Sequence, residues 1–162
     1  MATAGWPGLT PGRTLIILGN LMYSVGAFVA DWSDTHVFNP RWPPHAKFHN
    51  GQTMTLGVFL ATSSTYFALR PTAAAATARD DLRTAAIIGT FYCLSGLSAI
   101  LYPGTHWKDP ETPGSEGGGQ QHVFAAVCVA MWVGYWVDVF RSGDGSGRAP
   151  SLARGTGKGK VG

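Results

Sequence analysis

The sequence predicts an all-α protein, a four-transmembrane-helix bundle, antiparallel, with both termini on the cytosolic side. Three observations predict it. Four long stretches carry almost no charge. Charged residues make up only 13% of the 162-residue chain, against roughly 25% in ordinary soluble domains. Every proline falls outside the four stretches, where it disfavours helix at the residue before it. A soluble bundle is the competing class. It needs a polar stripe along each helix, and these stretches offer only scattered Ser, Thr, Asn and Gly.

The first stretch, residues 14–30, lies between Arg13 and Asp31. A cleaved signal peptide is not expected there, because its lead is rich in Pro and Gly and no A-x-A site closes it. The second, residues 49–69, ends at Arg70-Pro71. The third, residues 84–102, ends at Tyr102-Pro103-Gly104. The fourth, residues 122–140, reaches spanning length only by running past Asp138 to Phe140. Each stretch approaches the roughly 20 residues that a helix needs to cross a bilayer core. Residues 1–141 therefore form the membrane domain. Residues 142–162, rich in Gly, Ser, Arg and Lys, are expected to be a disordered tail.

Charge orients the bundle. Nine of the twelve Lys and Arg residues fall in the N-terminal segment, the 2–3 link and the C-terminal segment from Arg141 on. Four spans put those segments on one side, and an excess of Lys and Arg marks the cytosolic side. The expected location is an integral, multi-pass position in the endoplasmic reticulum of a eukaryote or the inner membrane of a bacterium. The basic excess sits largely in the tail, so no nucleic-acid face is implied.

With this topology all five histidines, His36, His45, His49, His106 and His122, gather at the non-cytosolic face, with Trp32, Trp42 and Trp107. Interfacial aromatic belts and solvated polar groups explain part of that mixture. The density of residues 31–52, DWSDTHVFNPRWPPHAKFHNGQ, goes further, since a connector between two spans needs only a few residues. His45 and His49 are four apart and share a face if the second helix starts just after Pro44. Gln52 lies close to that face, and Leu56 and Phe59 continue it into the membrane. An Asp beside a His fixes its tautomer and raises its pKa, a common acid–base arrangement. The expected catalytic set is therefore His45 and His49, with Asp31 or Asp34 orienting one of them. Arg41 or Asn50 would stabilise developing negative charge. Trp42, Gln52, His106, Trp107 and His122 complete the expected substrate-binding set, drawn from the 1–2 and 3–4 connections together.

Imidazoles at i and i+4 also chelate zinc, with His106, His122 or Asp31 as further ligands. The Glu of H-E-x-x-H is missing, however, because Ala46 follows His45. No metal and no cofactor are expected. Cys93 and Cys128 fall in apolar surroundings, where a thiol stays protonated. There is no G-x-S-x-G elbow, no P-loop and no dinucleotide fingerprint.

The segment THVFNPRWPPHAKFH, between the first and second stretches, resembles a family of small four-span membrane proteins of bacteria and fungi, largely of unassigned function. The resemblance covers the four spans. In shape the chain is also similar to the sterol isomerase and sigma-2 receptor superfamily and to DoxX-like proteins. Sterol isomerases use intramembrane acids, and no Glu lies within a span here, so no catalytic residue is carried over from them. The expected function is a cofactor-independent membrane enzyme (isomerase, lyase or hydrolase class) acting on a lipophilic small molecule, as in a biosynthetic step. It would isomerise or cyclise that molecule, or open an epoxide, by acid–base chemistry. The alternative is a non-enzymatic membrane protein that binds a lipid or a partner helix.

Overall fold

The computed structural model describes residues 8–108 and 119–144. They form four long helices, α1 (Pro11–Asp31), α2 (Pro44–Leu69), α3 (Ala75–Ser98) and α4 (Gly119–Asp144). One 3-10 turn, Ala99–Leu101, extends α3. Among the described residues there is no strand.

Local chemistry sets the helix ends. Thr10 caps α1 by accepting the Arg13 amide at 3.3 Å, and Pro11 supplies a pre-set φ at the first helical position. Pro44 does the same for α2. Arg70 turns extended (φ −63°, ψ 141°) ahead of Pro71 and stops α2. Gly104 takes a positive φ of 77° in the turn after α3, a conformation open to glycine at little cost. The helices outrun the predicted spans. α2 starts at Pro44 rather than 49, and α3 at Ala75 rather than 84, because helix continues through charged turns that hydropathy counts as outside. α4 runs from Gly119 to Asp144, past the predicted boundary at 141. The rest of the expected tail lies outside the described residues.

Sequential helices are antiparallel and pack side by side, with α4 returning to α1 to close the ring. Long-range contacts fix the pairing. Asn50 on α2 donates to Asp31 at the end of α1 (2.8 Å). Arg70, capping α2, pairs bidentately with Asp81 on α3. That hydrogen bond raises the Arg70 pKa above its ordinary value, so the guanidinium stays charged. Gly96 of α3 lies against Phe124 of α4, and Gly12 of α1 against Gly134 of α4. At this last crossing the backbones almost touch, which small residues allow.

The bundle interior is slim and partly polar. Along α2 the buried positions Met54, Gly57, Ala61, Ser64 and Ala68 repeat every three or four residues, the spacing of a helix–helix seam. Asn20, only 1% exposed, donates to Ser64 (2.9 Å) and Thr65 (3.0 Å). The Ser64 hydroxyl in turn donates to the Ala85 carbonyl at 2.8 Å. This network ties α1, α2 and α3 together at mid-height.

The outside is apolar. Leu18, Leu21, Val25, Val29, Phe59, Leu94, Val129 and Phe140 are among the large apolar residues left exposed, a surface that water does not favour. Three helical segments are long and apolar enough to cross a membrane: Pro11–Asp31, Ala75–Leu101 and Gly119–Ser142. The sequence expectation of four such stretches is thus met in part. α2 is 26 residues long, but its Thr and Ser residues lower its apolarity and it does not qualify on composition.

Candidate functional site

At one end of the bundle meet the C-terminus of α1, the N-termini of α2 and α4, and the turn after α3. The α1–α2 connection is folded back on itself by short-range hydrogen bonds. The Val37 amide donates to the Asp31 carbonyl (3.1 Å), and those of His36 and Phe38 donate to the Ser33 carbonyl (3.2 and 3.0 Å). Asn39, buried to 7% exposure, accepts from the Arg41 amide at 2.9 Å and donates to the Thr35 carbonyl at 3.3 Å. These bonds bring His36 back over Asp31.

The two side chains face each other. His36 Nε2 lies 3.8 Å from Asp31 Oδ1. Asp31 Oδ2 accepts from Asn50 Nδ2 at 2.8 Å, which holds the carboxylate in place. His36 Nδ1 lies 2.8 Å from the Thr35 hydroxyl. In the tautomer where Thr35 donates to Nδ1, the ring proton sits on Nε2 and faces Asp31 across a gap longer than a hydrogen bond. Trp42 packs edge-on against the imidazole, with ring centroids 5.0 Å apart.

Asp31 and His36 border a cavity of about 740 Å³ between α1, α3 and α4. Met22, Ala27, Val123 and Phe124 give it apolar walls, and Trp42, His106 and Trp107 stand at its rim. A smaller cavity of about 270 Å³ shares Asp31, Tyr92, His106 and Trp107 with it. Tyr23 and Tyr92 are stacked at 5.1 Å and also line the larger space. Tyr23 is 2% exposed, and its buried hydroxyl has no partner among the described residues. Pockets of several hundred Å³ with apolar walls and few polar groups suit small-molecule ligands.

The expected residues thus divide. Asp31, Trp42, His106 and Trp107 line the cavity, and the wall draws on both connections. Asn50 holds Asp31 from outside it. His45 and His49 do share a face of α2, with their Nε2 atoms 3.0 Å apart and His49 Nδ1 3.2 Å from Gln52 Oε1. That face is exposed, and neither His45, His49 nor Gln52 lines either cavity. Asp34, Arg41 and His122 are also exposed and outside the lining. Asp31 faces His36 instead of the His45–His49 pair. Among the described residues no three His, Cys, Asp or Glu side chains converge, and Cys93 and Cys128 are free thiols.

Sequence reasoning missed His36, Tyr23, Tyr92 and Gln120 as cavity residues. The two tyrosines look like ordinary apolar-face residues until the helices are rotated into contact. His36 sat in view at five residues from Asp31, but that spacing means proximity only where the chain reverses.

A helical bundle with apolar outer walls and an interhelical cavity bordered by a His and an Asp is the class defined by this geometry. The family of unknown function DUF6640 matches residues 15–145, and the chain belongs to that family. Neither a curated protein nor a solved structure matches the chain, so the likeness in shape to sterol isomerases and DoxX-like proteins gains no support.

Proposed function

We propose that this protein is a four-span membrane enzyme that holds a lipophilic small molecule in the 740 Å³ cavity and moves a proton with Asp31 and His36. The observation that carries this reading is the Asp31–His36 pair at the border of an otherwise largely apolar space. His36 is the proton donor and acceptor. Asp31, steadied by Asn50, orients it and balances its charge. The apolar walls take the hydrocarbon part of the substrate, and the Tyr23 hydroxyl offers a deep hydrogen bond to a polar group on it.

α2 is read as the fourth span for two reasons. Its outer face carries exposed Leu56, Val58 and Phe59. Its Thr53 and Thr55 hydroxyls bond back to carbonyls one turn earlier, both at 2.9 Å, which hides them from lipid. The N-terminal segment, the α2–α3 link and the C-terminus then face the cytosol. Single cysteines at Ser33 and Thr72, in a Cys93→Ala/Cys128→Ala background, test this. An impermeant thiol reagent applied to intact cells or sealed vesicles of known orientation should reach one site and not the other. Equal labelling would mean that α2 does not cross.

The chemical reading is tested by profiling lipid-soluble metabolites in a deletion strain complemented with each variant. His36→Ala and Asp31→Asn should lower product formation by about 10²-fold or more, the usual scale of acid–base catalysis, at unchanged protein level. The double variant His45→Ala/His49→Ala should complement fully. Full complementation by His36→Ala would end the assignment. A lipid binder without turnover is the second reading, favoured by the 3.8 Å His36–Asp31 separation, which exceeds a hydrogen bond. In that case the variants alter the co-purifying lipid and leave metabolites unchanged.

A further inference from the structure

The opposite end of the bundle holds a second cavity, of about 500 Å³, between α1, α3 and α4. Three arginines line it, Arg13, Arg79 and Arg141, with Thr10, Ser142 and the first turn of α3. Among the described residues its single carboxylate, Asp138, is already engaged. Asp138 Oδ1 accepts the Gly12 amide at 3.0 Å. Its Oδ2 accepts the Thr10 hydroxyl and lies 3.5 Å from Arg13 Nη1. Arg13 is committed in turn, since its Nε donates to the Ala68 carbonyl at 2.9 Å. Asp138 and Arg13 cancel, and two positive charges remain. Among the described residues neither Arg79 nor Arg141 pairs with a carboxylate.

The backbone adds to this field. α3 begins without a side-chain cap and without an acidic residue in its first turn. Ala75 and Ala76 of that turn line the cavity. Unsatisfied amides at a helix start favour an anion. Planar guanidinium groups match the oxygens of a phosphate in pairs.

We propose that this cavity binds the phosphate of an anionic lipid headgroup. The lipid source rests on the four-span reading above, which turns this end toward the cytosolic leaflet, where acidic lipids concentrate. Glycerol and acyl chains then follow the apolar outer surface between the helices, and Arg79 and Arg141 clamp the phosphate from α3 and α4. The anion chemistry itself does not depend on that reading.

The test uses the purified full-length chain in neutral detergent, titrated at constant ionic strength. Dioctanoyl phosphatidylglycerol, dioctanoyl phosphatidylcholine and sodium phosphate are the three probes, read by the thermal unfolding midpoint. The phosphatidylglycerol titration should saturate and raise the midpoint, and phosphatidylcholine should not. Arg79→Gln and Arg141→Gln should each weaken half-saturation by about fivefold, and together by about 25-fold, at the roughly 1 kcal/mol that each basic residue contributes near an anionic surface. Arg83 is exposed on α3 but outside the cavity lining, so Arg83→Gln should leave half-saturation unchanged. Sodium phosphate binding with the same arginine dependence, and no advantage to the lipid, supports the anion site with free phosphate as its source. Equal response to the two lipids, with none to phosphate, overturns the proposal. An Arg83→Gln loss as large as that of Arg79→Gln does so as well. Alkaline carbonate extraction of native membranes reads the membrane assignment separately. Release of the chain would refute that assignment while the phosphate titration still decides the site.

Discussion

Asp138→Ala is expected to destabilise the bundle by about 3–5 kcal/mol, the cost of removing one partner from a buried ion pair. Asp138 is 5% exposed, accepts from the Gly12 amide and the Thr10 hydroxyl, and lies 3.5 Å from Arg13 Nη1 as an ion pair. Its loss orphans two donors, the Gly12 amide and the Thr10 hydroxyl, at the junction of α1 and α4. The Arg13 side chain, 14% exposed, keeps its bonds to the Ala68 carbonyl and Thr10 but loses its counter-charge. The measurement is the unfolding free energy of the detergent-solubilised chain during titration with a denaturing detergent. The double variant Asp138→Ala/Arg13→Leu should recover a large part of the loss, because no uncompensated charge is left. A loss below about 1 kcal/mol in the single variant would place the pair with ordinary solvated surface pairs.

Gly12→Ala should cost about 3 kcal/mol, at the upper end of the usual range for overpacking. A Cβ at Gly12 would clash with the Gly134 carbonyl and the Asp138 carboxylate. The first obstacle is backbone, which no rotamer change relieves, so α1 and α4 must separate. Separation also breaks the Gly12–Asp138 hydrogen bond. Gly51→Ala on α2 is the matched control, since a Cβ there meets nothing within 4 Å. It should be neutral or stabilising by up to about 1 kcal/mol, the helix preference of Ala over Gly. Similar midpoints for the two variants would show that the α1–α4 crossing is looser than described.

How much of this was legible in the sequence depends on the range over which each feature is set. Stretches without charge, bounded by Arg70-Pro71 and Tyr102-Pro103, were enough to expect four helices, because length and backbone sterics act within a few residues. Helix starts were harder. α3 begins two turns before its apolar stretch, and the buried Asp81 in those turns is satisfied by Arg70 on the preceding segment. No local pattern reports that partner. α2 shows the reverse case: its helix was legible, but its hydroxyl-rich sequence reads as less apolar than its neighbours.

The clustering of histidine and tryptophan at one end also followed from topology alone, because antiparallel helices bring alternate connections together. Which histidine meets which carboxylate did not. His45 and His49 share a helical face, as their spacing dictates, yet the rotation of α2 turns that face outward. That rotation is set by the seam of Met54, Gly57, Ala61, Ser64 and Ala68 against α1 and α3. The Asp31–His36 contact needs the chain reversal after α1, made by hydrogen bonds from the His36, Val37 and Phe38 amides.

By itself, then, the sequence determined the helical class, the order of the elements and the end of the bundle where polar chemistry collects. Those properties depend on composition and near-neighbour sterics. Tertiary structure alone decided the helix rotations, the α1–α4 crossing at Gly12 and Gly134, and the cavities at the two ends. These depend on contacts between residues more than a hundred positions apart, such as Gly12 and Asp138. The free energy of such contacts exists only once the helices have docked.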